Sequence, residues 1–295
     1  MTAETRERII TLADGRQVPV LEGGDPGGRP VLFHHGTPSS RHQATPFSDA
    51  ARDHGIRLIS FNRPGYGRTS NTSPSLASVG VDTIAIADAL EVTRFGAAGL
   101  SGGGPYALAT ALAAPERVTA VAIVGGIGPW RLALPDDPDD HERDLLALAD
   151  AGDLDAALAG FRSDLAPDMA LLDIADDDAM VDAYFGGIPA TELTWLTPEV
   201  RRCWAVDMRE ALSNADGYAR DNLAWGGPWD IDVTAVRCPV HLYYGDRDSL
   251  VPEANGRWLA AHLPNPTFVT SPNAGHGTTT FAHWDTVFAD LPAPV

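Results

Sequence analysis

The sequence contains no lysine, and all 21 of its basic residues are arginine. Schiff-base chemistry and the lysine of a phosphate-binding P-loop are therefore excluded. Acidic residues number 40, and the net charge of −19 argues against nucleic acid or an anionic membrane surface as a partner, since both need a basic surface. A lysine-free chain rich in Asp and Ala also fits a bacterial source.

Long apolar runs are missing as well. No uninterrupted apolar stretch approaches the roughly 20 residues that a membrane helix needs. The opening residues, "MTAETRERIITLADGRQ", are charged and lack the apolar centre and cleavage site of a secretory signal. We therefore expect a cytoplasmic protein that does not contact a membrane.

Cysteine is scarce. Cys203 and Cys238 lie in no CxxC or Cys/His spacing, and two cysteines cannot build a disulfide framework. We interpret both as thiols packed in the core. The "HHG" at 34–36 resembles a fragment of a metal site, but no HxxxH or carboxylate partner completes it. We predict neither a metal nor a cofactor, and the sequence indicates no oligomeric state.

Short apolar runs alternate with helical stretches through the first part of the chain. Each run is nearly continuous, as expected when helices cover both faces of a strand. "VGVDTIAIADALEV" and "GPYALATALAAPERV" have helical spacing. This alternation predicts an α/β fold with a mostly parallel central sheet flanked by helices. The predicted strands are 29–36, 56–62, 94–100 and 118–126.

The pattern changes after Gly128, where Asp-, Ala- and Leu-rich helices follow, broken by "PDDPDD". Residues 131–230 hold 23 acidic residues against 7 arginines, which we interpret as a solvated helical surface, with attraction of a cationic ligand as the alternative. The sheet pattern resumes with a strand at 236–245, a helix near 253–263, a strand in "NPTFVTSPNAG" and a helix near 279–290. We predict a core of residues 1–126 and 231–295 with a helical insertion at 127–230.

One serine stands among glycines at the end of a predicted strand and the start of a predicted helix. Gly99, Ser101 and Gly103 form GxSxG in the setting that a nucleophile elbow requires. The sharp turn strains the serine backbone and brings neighbouring chain close, so the flanking positions must lack bulk. The hydroxyl would then stand exposed at the carboxyl edge of the sheet.

A serine hydroxyl is a weak nucleophile, so a base and an orienting acid are expected elsewhere. "YYGDRDSLVP" and "SPNAGHGTTT" supply an acid and then a histidine after successive apolar runs, in the chain order Ser, Asp, His. The acid is Asp246 or Asp248. His276 competes with His262 and His283, which lie within or beside helical stretches and are expected at the surface.

These motifs resemble those of the α/β-hydrolase superfamily, and the resemblance covers nearly all of the chain. The family's GxxDxxxP pattern matches Gly245, Asp248 and Pro252. The resemblance therefore implies Asp248 as the acid, in preference to Asp246, and His276 as the base.

Two loops extend the resemblance. "FHHGTPSS" resembles the family's HGxP loop after the third strand, which implies an oxyanion hole made by the backbone N–H groups of Thr37 and Gly102. "NRPGYGRTS" resembles the family's DxxGxGxS loop, with Asn62 in place of the usual aspartate. That departure concerns a structural loop and leaves the catalytic roles untouched.

The inserted helices resemble the family's helical cap, which roofs the active site and shapes the substrate pocket. Trp130, Trp225 and Trp229 are then the aromatic residues expected nearest the substrate. The competing interpretation is that these rings only pack the cap itself.

A serine nucleophile implies acyl chemistry, because members of the family that open epoxides or remove halides carry an aspartate there. We expect a serine hydrolase of a small apolar acyl substrate, foremost a carboxylic ester. A thioesterase, cyclase, lactonase or C–C bond hydrolase would use the same residues. A proline-releasing aminopeptidase and a non-hydrolytic ligand-binding protein remain as further alternatives.

Overall fold

The computed structural model of the protein describes residues 5–133 and 141–291. One eight-stranded sheet runs in the order β1-β2-β4-β3-β5-β6-β7-β8. β2 is antiparallel to both of its neighbours, and the remaining pairs are parallel, which confirms the predicted sheet. The strands are β1 (Arg6–Thr11), β2 (Gln17–Gly24), β3 (Arg29–His34), β4 (Ile56–Phe61), β5 (Phe95–Leu100), β6 (Val118–Val124), β7 (Val240–Gly245) and β8 (Pro266–Ser271).

Helices cover both faces of this sheet. The α-helices of the described residues are α1 (Ser48–Asp53), α2 (Leu76–Ala89), α3 (Gly104–Ala113), α4 (Trp130–Ala133), α5 (His141–Asp150), α6 (Leu154–Asp164), α7 (Ala166–Met169), α8 (Asp177–Tyr184), α9 (Pro198–Ala211), α10 (Asp216–Gly226), α11 (Ala254–His262), α12 (His276–Ala282) and α13 (Trp284–Asp290). Strand side chains alternate between the two faces. Leu32 packs with residues of α2 and α3, whereas Phe33 packs with residues of α1 and α13.

The structure differs from the sequence predictions in three places. β1 and β2 have no counterpart among the predicted strands; β1 is an edge strand with a largely exposed, polar sequence, whereas β2 is mostly buried. β7 begins at Val240 instead of residue 236, since Pro239 has no N–H to enter the ladder. The single helix predicted near 279–290 is two helices, and the first begins at His276.

Helices α4–α10 lie between β6 and β7 and are inserted into the sheet topology. One apolar cluster joins α5, α6 and α10, and another joins α8 and α9. Trp225 of α10 is buried in the main core with residues of the sheet. The break predicted at "PDDPDD" (135–140) lies outside the described residues.

The two cysteines are free and partly buried, and Cys238 packs against the main core. Cys203 lies on α9, and Cys238 precedes β7. Burial raises the pKa of both thiols, that of Cys238 to about 11, because a low dielectric disfavours the thiolate.

Candidate active site

Ser101 stands on the sharp turn between β5 and α3. Its φ of +52° lies in the left-handed region, which is costly for a residue with a side chain. A Cβ at Gly99 would lie 2.5 Å from the carbonyl oxygen of Gly103, and one at Gly103 would lie 2.2 Å from that of His34. Only glycine fits these two positions, which explains the GxSxG spacing physically.

His276 lies between Ser101 and Asp248 in a continuous hydrogen-bonded chain. Its Nε2 is 3.1 Å from the Ser101 Oγ, and its Nδ1 is 2.7 Å from the Asp248 Oδ2. The Asp248 side chain is fully buried, whereas the imidazole retains 18% of its exposure. The histidine therefore faces solvent or substrate on one side and a shielded carboxylate on the other.

The second oxygen of Asp248 is fixed by the turn that follows β7. Its Oδ1 accepts hydrogen bonds from the backbone N–H groups of Leu250 (3.0 Å) and Val251 (2.8 Å). These two bonds orient the carboxylate and leave Oδ2 directed at the imidazole. Asp246, the competing acid, is exposed.

The competing histidines have other partners. The exposed His262 donates from Nδ1 to the carbonyl oxygen of Trp258. His283 is half-buried and contacts the Ser271 hydroxyl at 2.6 Å, so the prediction that it is a surface residue is wrong. Burial lowers the pKa of His283.

The loop after β3 packs against the serine turn. A Cβ at Gly102 would lie 2.5 Å from the Thr37 Oγ1 and 3.4 Å from the Thr37 backbone nitrogen. The two backbones predicted to form an oxyanion hole are therefore adjacent, and only the lack of a side chain at Gly102 permits this approach.

A buried polar network that sequence reasoning missed lies directly behind this loop. The carboxylate of Asp221, from α10, accepts from Thr37 Oγ1 (2.8 Å), Tyr66 (2.9 Å) and Tyr106 (2.6 Å). Arg63 Nη2 lies 2.5 Å from the Asp221 Oδ2, and both side chains are fully buried. Burial alone would raise the pKa of Asp221, but Arg63 and Arg220 lower it, so the carboxylate is ionised.

Asn62 replaces the family's aspartate for a reason visible in its contacts. Its Oδ1 accepts from the Arg41 backbone N–H at 2.8 Å, while its Nδ2 donates to the Glu210 Oε1 at 3.0 Å. A carboxylate at position 62 would lack that donor and would repel Glu210. The amide thus suits a loop that meets an acidic residue of α9.

The two histidines of "HHG" are buried and form hydrogen bonds inside the protein. His34 contacts the Thr110 hydroxyl at 2.9 Å, and His35 donates from Nδ1 to the Gly36 carbonyl oxygen at 2.8 Å. Burial lowers the pKa of His34 to about 3 and that of His35 well below its ordinary value. Both rings therefore remain neutral at physiological pH.

The three predicted pocket tryptophans lie together. The Trp130 and Trp225 rings are 6.1 Å apart, and Trp229 Nε1 donates to the Trp225 carbonyl oxygen at 2.7 Å. Trp225 is only 5% exposed, so most of its ring packs into the protein interior.

Trp195, which sequence reasoning did not single out, lies beside the histidine turn. Its ring stacks on Phe281 of α12 at 4.5 Å, and a Cβ at Gly277 would lie 2.2 Å from its Nε1. Gly277 directly follows His276. The inserted segment thus reaches the backbone that carries the imidazole.

Within residues 5–133 and 141–291, no group of three or more His, Cys, Asp or Glu side chains is arranged to hold a metal ion. The helices in this described part of the chain include none long and apolar enough to cross a membrane.

This fold, with a serine on a strand–turn–helix elbow, is the architecture of a hydrolase. The chain matches the alpha/beta hydrolase fold family over residues 29–279. It is 30% identical over 274 residues to a non-heme chloroperoxidase of Streptomyces lividans, covering 91% of this chain and 92% of that one. The chain belongs to the alpha/beta hydrolase family and is an enzyme of the hydrolase type.

Two other similarities agree with this membership. A pimeloyl-[acyl-carrier protein] methyl ester esterase of Nitrosomonas europaea is 26% identical over 221 residues, covering 75% of this chain and 78% of that one. An esterase structure from Exiguobacterium antarcticum superposes with a TM-score of 0.70 at 17% identity, covering 97% of this chain and 99% of that one. The structural similarity supports the fold alone.

Proposed function

We propose that the protein hydrolyses a carboxylic ester of a small, apolar acyl substrate through a covalent acyl-enzyme, with Ser101 as the nucleophile. The observation that carries this proposal is the chain of hydrogen bonds from Ser101 through His276 to Asp248, at 3.1 and 2.7 Å. The name of the Nitrosomonas relative, a methyl ester esterase, favours an ester over the other acyl classes.

Proton transfer follows from the partners of the imidazole. A carboxylate only accepts hydrogen bonds, so Nδ1 of His276 carries the proton that is donated to Asp248, and Nε2 is free to accept from Ser101. His276 takes the hydroxyl proton as Ser101 attacks the ester carbonyl and returns it to the leaving alcohol. Water then attacks the acyl carbonyl while His276 takes its proton, and His276 returns that proton to the Ser101 Oγ as the acyl–oxygen bond breaks and the carboxylic acid leaves.

The negative charge that develops on the carbonyl oxygen in the transition state requires hydrogen-bond donors directed at that oxygen. The N–H groups of Thr37 and Gly102 fill this role, since their backbones are adjacent at the serine turn. We also propose that helices α4–α10, in the segment 127–230, act as a cap over this site. The contact of Trp195 with Gly277 supports the cap, because it joins the insertion to the residue that follows His276.

The test compares the wild-type protein with Ser101→Ala on p-nitrophenyl esters of increasing acyl length, with lactones, thioesters and proline arylamides beside them. Losing the nucleophile of such a unit costs on the order of 10⁶-fold in kcat, so turnover should vanish in a folded variant. A fluorophosphonate probe should label the wild-type protein at Ser101. Absence of both turnover and labelling would favour a binding protein, and turnover retained by Ser101→Ala would refute the nucleophile.

A second candidate is carried by the Streptomyces relative, a non-heme chloroperoxidase that covers nearly the whole chain. Halogenation of a β-diketone in the presence of hydrogen peroxide and chloride or bromide tests it. Halogenation that disappears in Ser101→Ala would assign that activity to the same site.

A further inference from the structure

The direction of the Thr37 N–H depends on the peptide plane that it shares with the Gly36 carbonyl. This peptide is trans, so its C=O and N–H point in opposite directions. The Gly36 carbonyl oxygen accepts from Arg63 Nη2 at 2.9 Å and from His35 Nδ1 at 2.8 Å. Donors that hold the carbonyl on one side of the loop therefore hold the N–H on the other.

Arg63 donates hydrogen bonds to three successive residues of this loop. In addition to Gly36, its guanidinium donates to the His35 carbonyl oxygen and to the Thr37 Oγ1, the latter at 3.0 Å. The planar fork of a guanidinium suits such simultaneous contacts better than an ammonium does. A single rigid group thus holds the backbone carbonyls of residues 35 and 36 and the side chain of Thr37.

A fully buried guanidinium needs a counter-charge, and Asp221 supplies it across the boundary between the sheet and the insertion. Its Oδ2 lies 2.5 Å from Arg63 Nη2 and also accepts from the Thr37 hydroxyl at 2.8 Å. Removing one charge of a buried ion pair leaves the other charge uncompensated, so the position of the guanidinium depends on the carboxylate.

We propose that Arg63 and Asp221 are positioning residues that set the direction of the Thr37 N–H, so that α10 of the inserted segment completes the oxyanion hole. Asp221 touches no reacting atom and acts through Arg63 and the Thr37 hydroxyl. This inference rests on the proposed function, in which that N–H stabilises the oxyanion.

The test is Asp221→Asn, which keeps the shape of the side chain but removes its charge. Losing an oxyanion donor costs about 10²–10³-fold in kcat, and a donor that is only misdirected should cost on the order of 10-fold or more. KM should change by less than about threefold, because the effect falls on the transition state. The affinity for a trifluoromethyl ketone, which forms a tetrahedral oxyanion on serine, should fall in parallel with kcat, whereas that for the matching methyl ketone should not.

Glu210→Gln is the matched control, because Glu210 also joins the insertion to the core through an arginine, Arg41, without contacting Gly36 or Thr37. It should lower stability but leave kcat and the ketone affinities within about twofold of wild type. Thr37→Val is the second variant, in case Asp221→Asn does not fold. It removes the hydroxyl link without leaving a charge unpaired and should lower kcat and trifluoromethyl ketone affinity together.

The proposal is overturned if a folded Asp221→Asn, or Thr37→Val where the former does not fold, retains wild-type kcat and trifluoromethyl ketone affinity. It is also overturned if Glu210→Gln loses as much kcat and trifluoromethyl ketone affinity as Asp221→Asn does, since general docking of the insertion would then be the cause. Wild-type turnover and fluorophosphonate labelling of Ser101 are measured first. If both are absent, the proposed function fails and this inference falls with it. If the wild type is active and labelled but Asp221→Asn keeps wild-type kcat and ketone affinity, the inference alone is refuted.

Discussion

Asp207 of α9 provides a pH-dependent test of how the insertion docks. Its buried carboxylate accepts from the hydroxyls of Ser39 and Ser40, both at 2.6 Å, and from the Ser40 N–H at 2.8 Å. Burial raises the pKa of Asp207 to about 6, although these hydrogen bonds act to lower it. The folded protein therefore holds this proton more tightly than the unfolded chain does.

The magnitude follows from linkage. A rise from the ordinary value of 3.8 to about 6 corresponds to roughly 3 kcal/mol of unfolding free energy. Because the native state binds the extra proton, this contribution is present at low pH and is lost as pH rises through about 4 to 6. His34 and His35 act in the opposite sense, since burial lowers their pKa values and acid favours their unfolded, charged form.

The difference between Asp207→Asn and wild type separates these effects, because the histidines are common to both proteins. Urea unfolding followed by tryptophan fluorescence should show the variant gaining roughly 2 kcal/mol relative to wild type between about pH 4.5 and pH 7.5. The exposed Asp182, paired with Arg201, gives the control Asp182→Asn, which should stay within about 1 kcal/mol of wild type throughout this range because a surface ion pair contributes little. A flat or falling curve for Asp207→Asn would refute the reasoning.

Two further predictions concern the geometry of the site. The free energy of unfolding of Ser101→Gly should exceed that of Ser101→Ala by roughly 1 kcal/mol in urea, because glycine adopts the φ of +52° without strain. Equal stabilities of the two variants would contradict strain at the serine. Gly277→Ala should lose about 1–3 kcal/mol and lower kcat/KM, because its Cβ would lie 2.2 Å from Trp195 Nε1. Gly275→Ala, whose Cβ would come no nearer than 3.9 Å to its surroundings, is the control and should stay within about 1 kcal/mol of wild type in the same measurements.

The sequence was most informative where the physical requirement is local. The central strands read as apolar runs because both faces are buried, and the serine turn could be predicted because its glycines are required within five residues. β1 was missed because only Ile10 of that strand is buried. The available signal was the turn at "ADGR", where Gly15 has a φ of +87° between β1 and β2.

The long-range contacts could not be derived from spacing. Asp221 contacts Thr37 across 184 residues of chain, and no periodicity links the two positions. The signals that did exist were local inconsistencies. Arg63 follows the apolar run of β4 almost directly, and Asp221 stands shortly before the apolar run at 223–225. A charged residue in an apolar setting indicates a partner, although it does not indicate which one.

The acidity of the insertion therefore has two components. Most of the insertion's carboxylates that the structure describes face solvent, as the solvated-surface interpretation expects, but Asp207, Glu210 and Asp221 face the core. Their partners are arginine and hydroxyl groups on the loops that follow β3 and β4, the loops beside Ser101. Because each inward carboxylate is already satisfied by these partners, it offers little charge to a cationic ligand. The inward acidity thus serves to dock the insertion on the loops that follow β3 and β4, which weakens the aminopeptidase alternative. Of these three carboxylates, only Asp221 contacts Thr37, so it is the position of α10 that is linked to the proposed oxyanion hole.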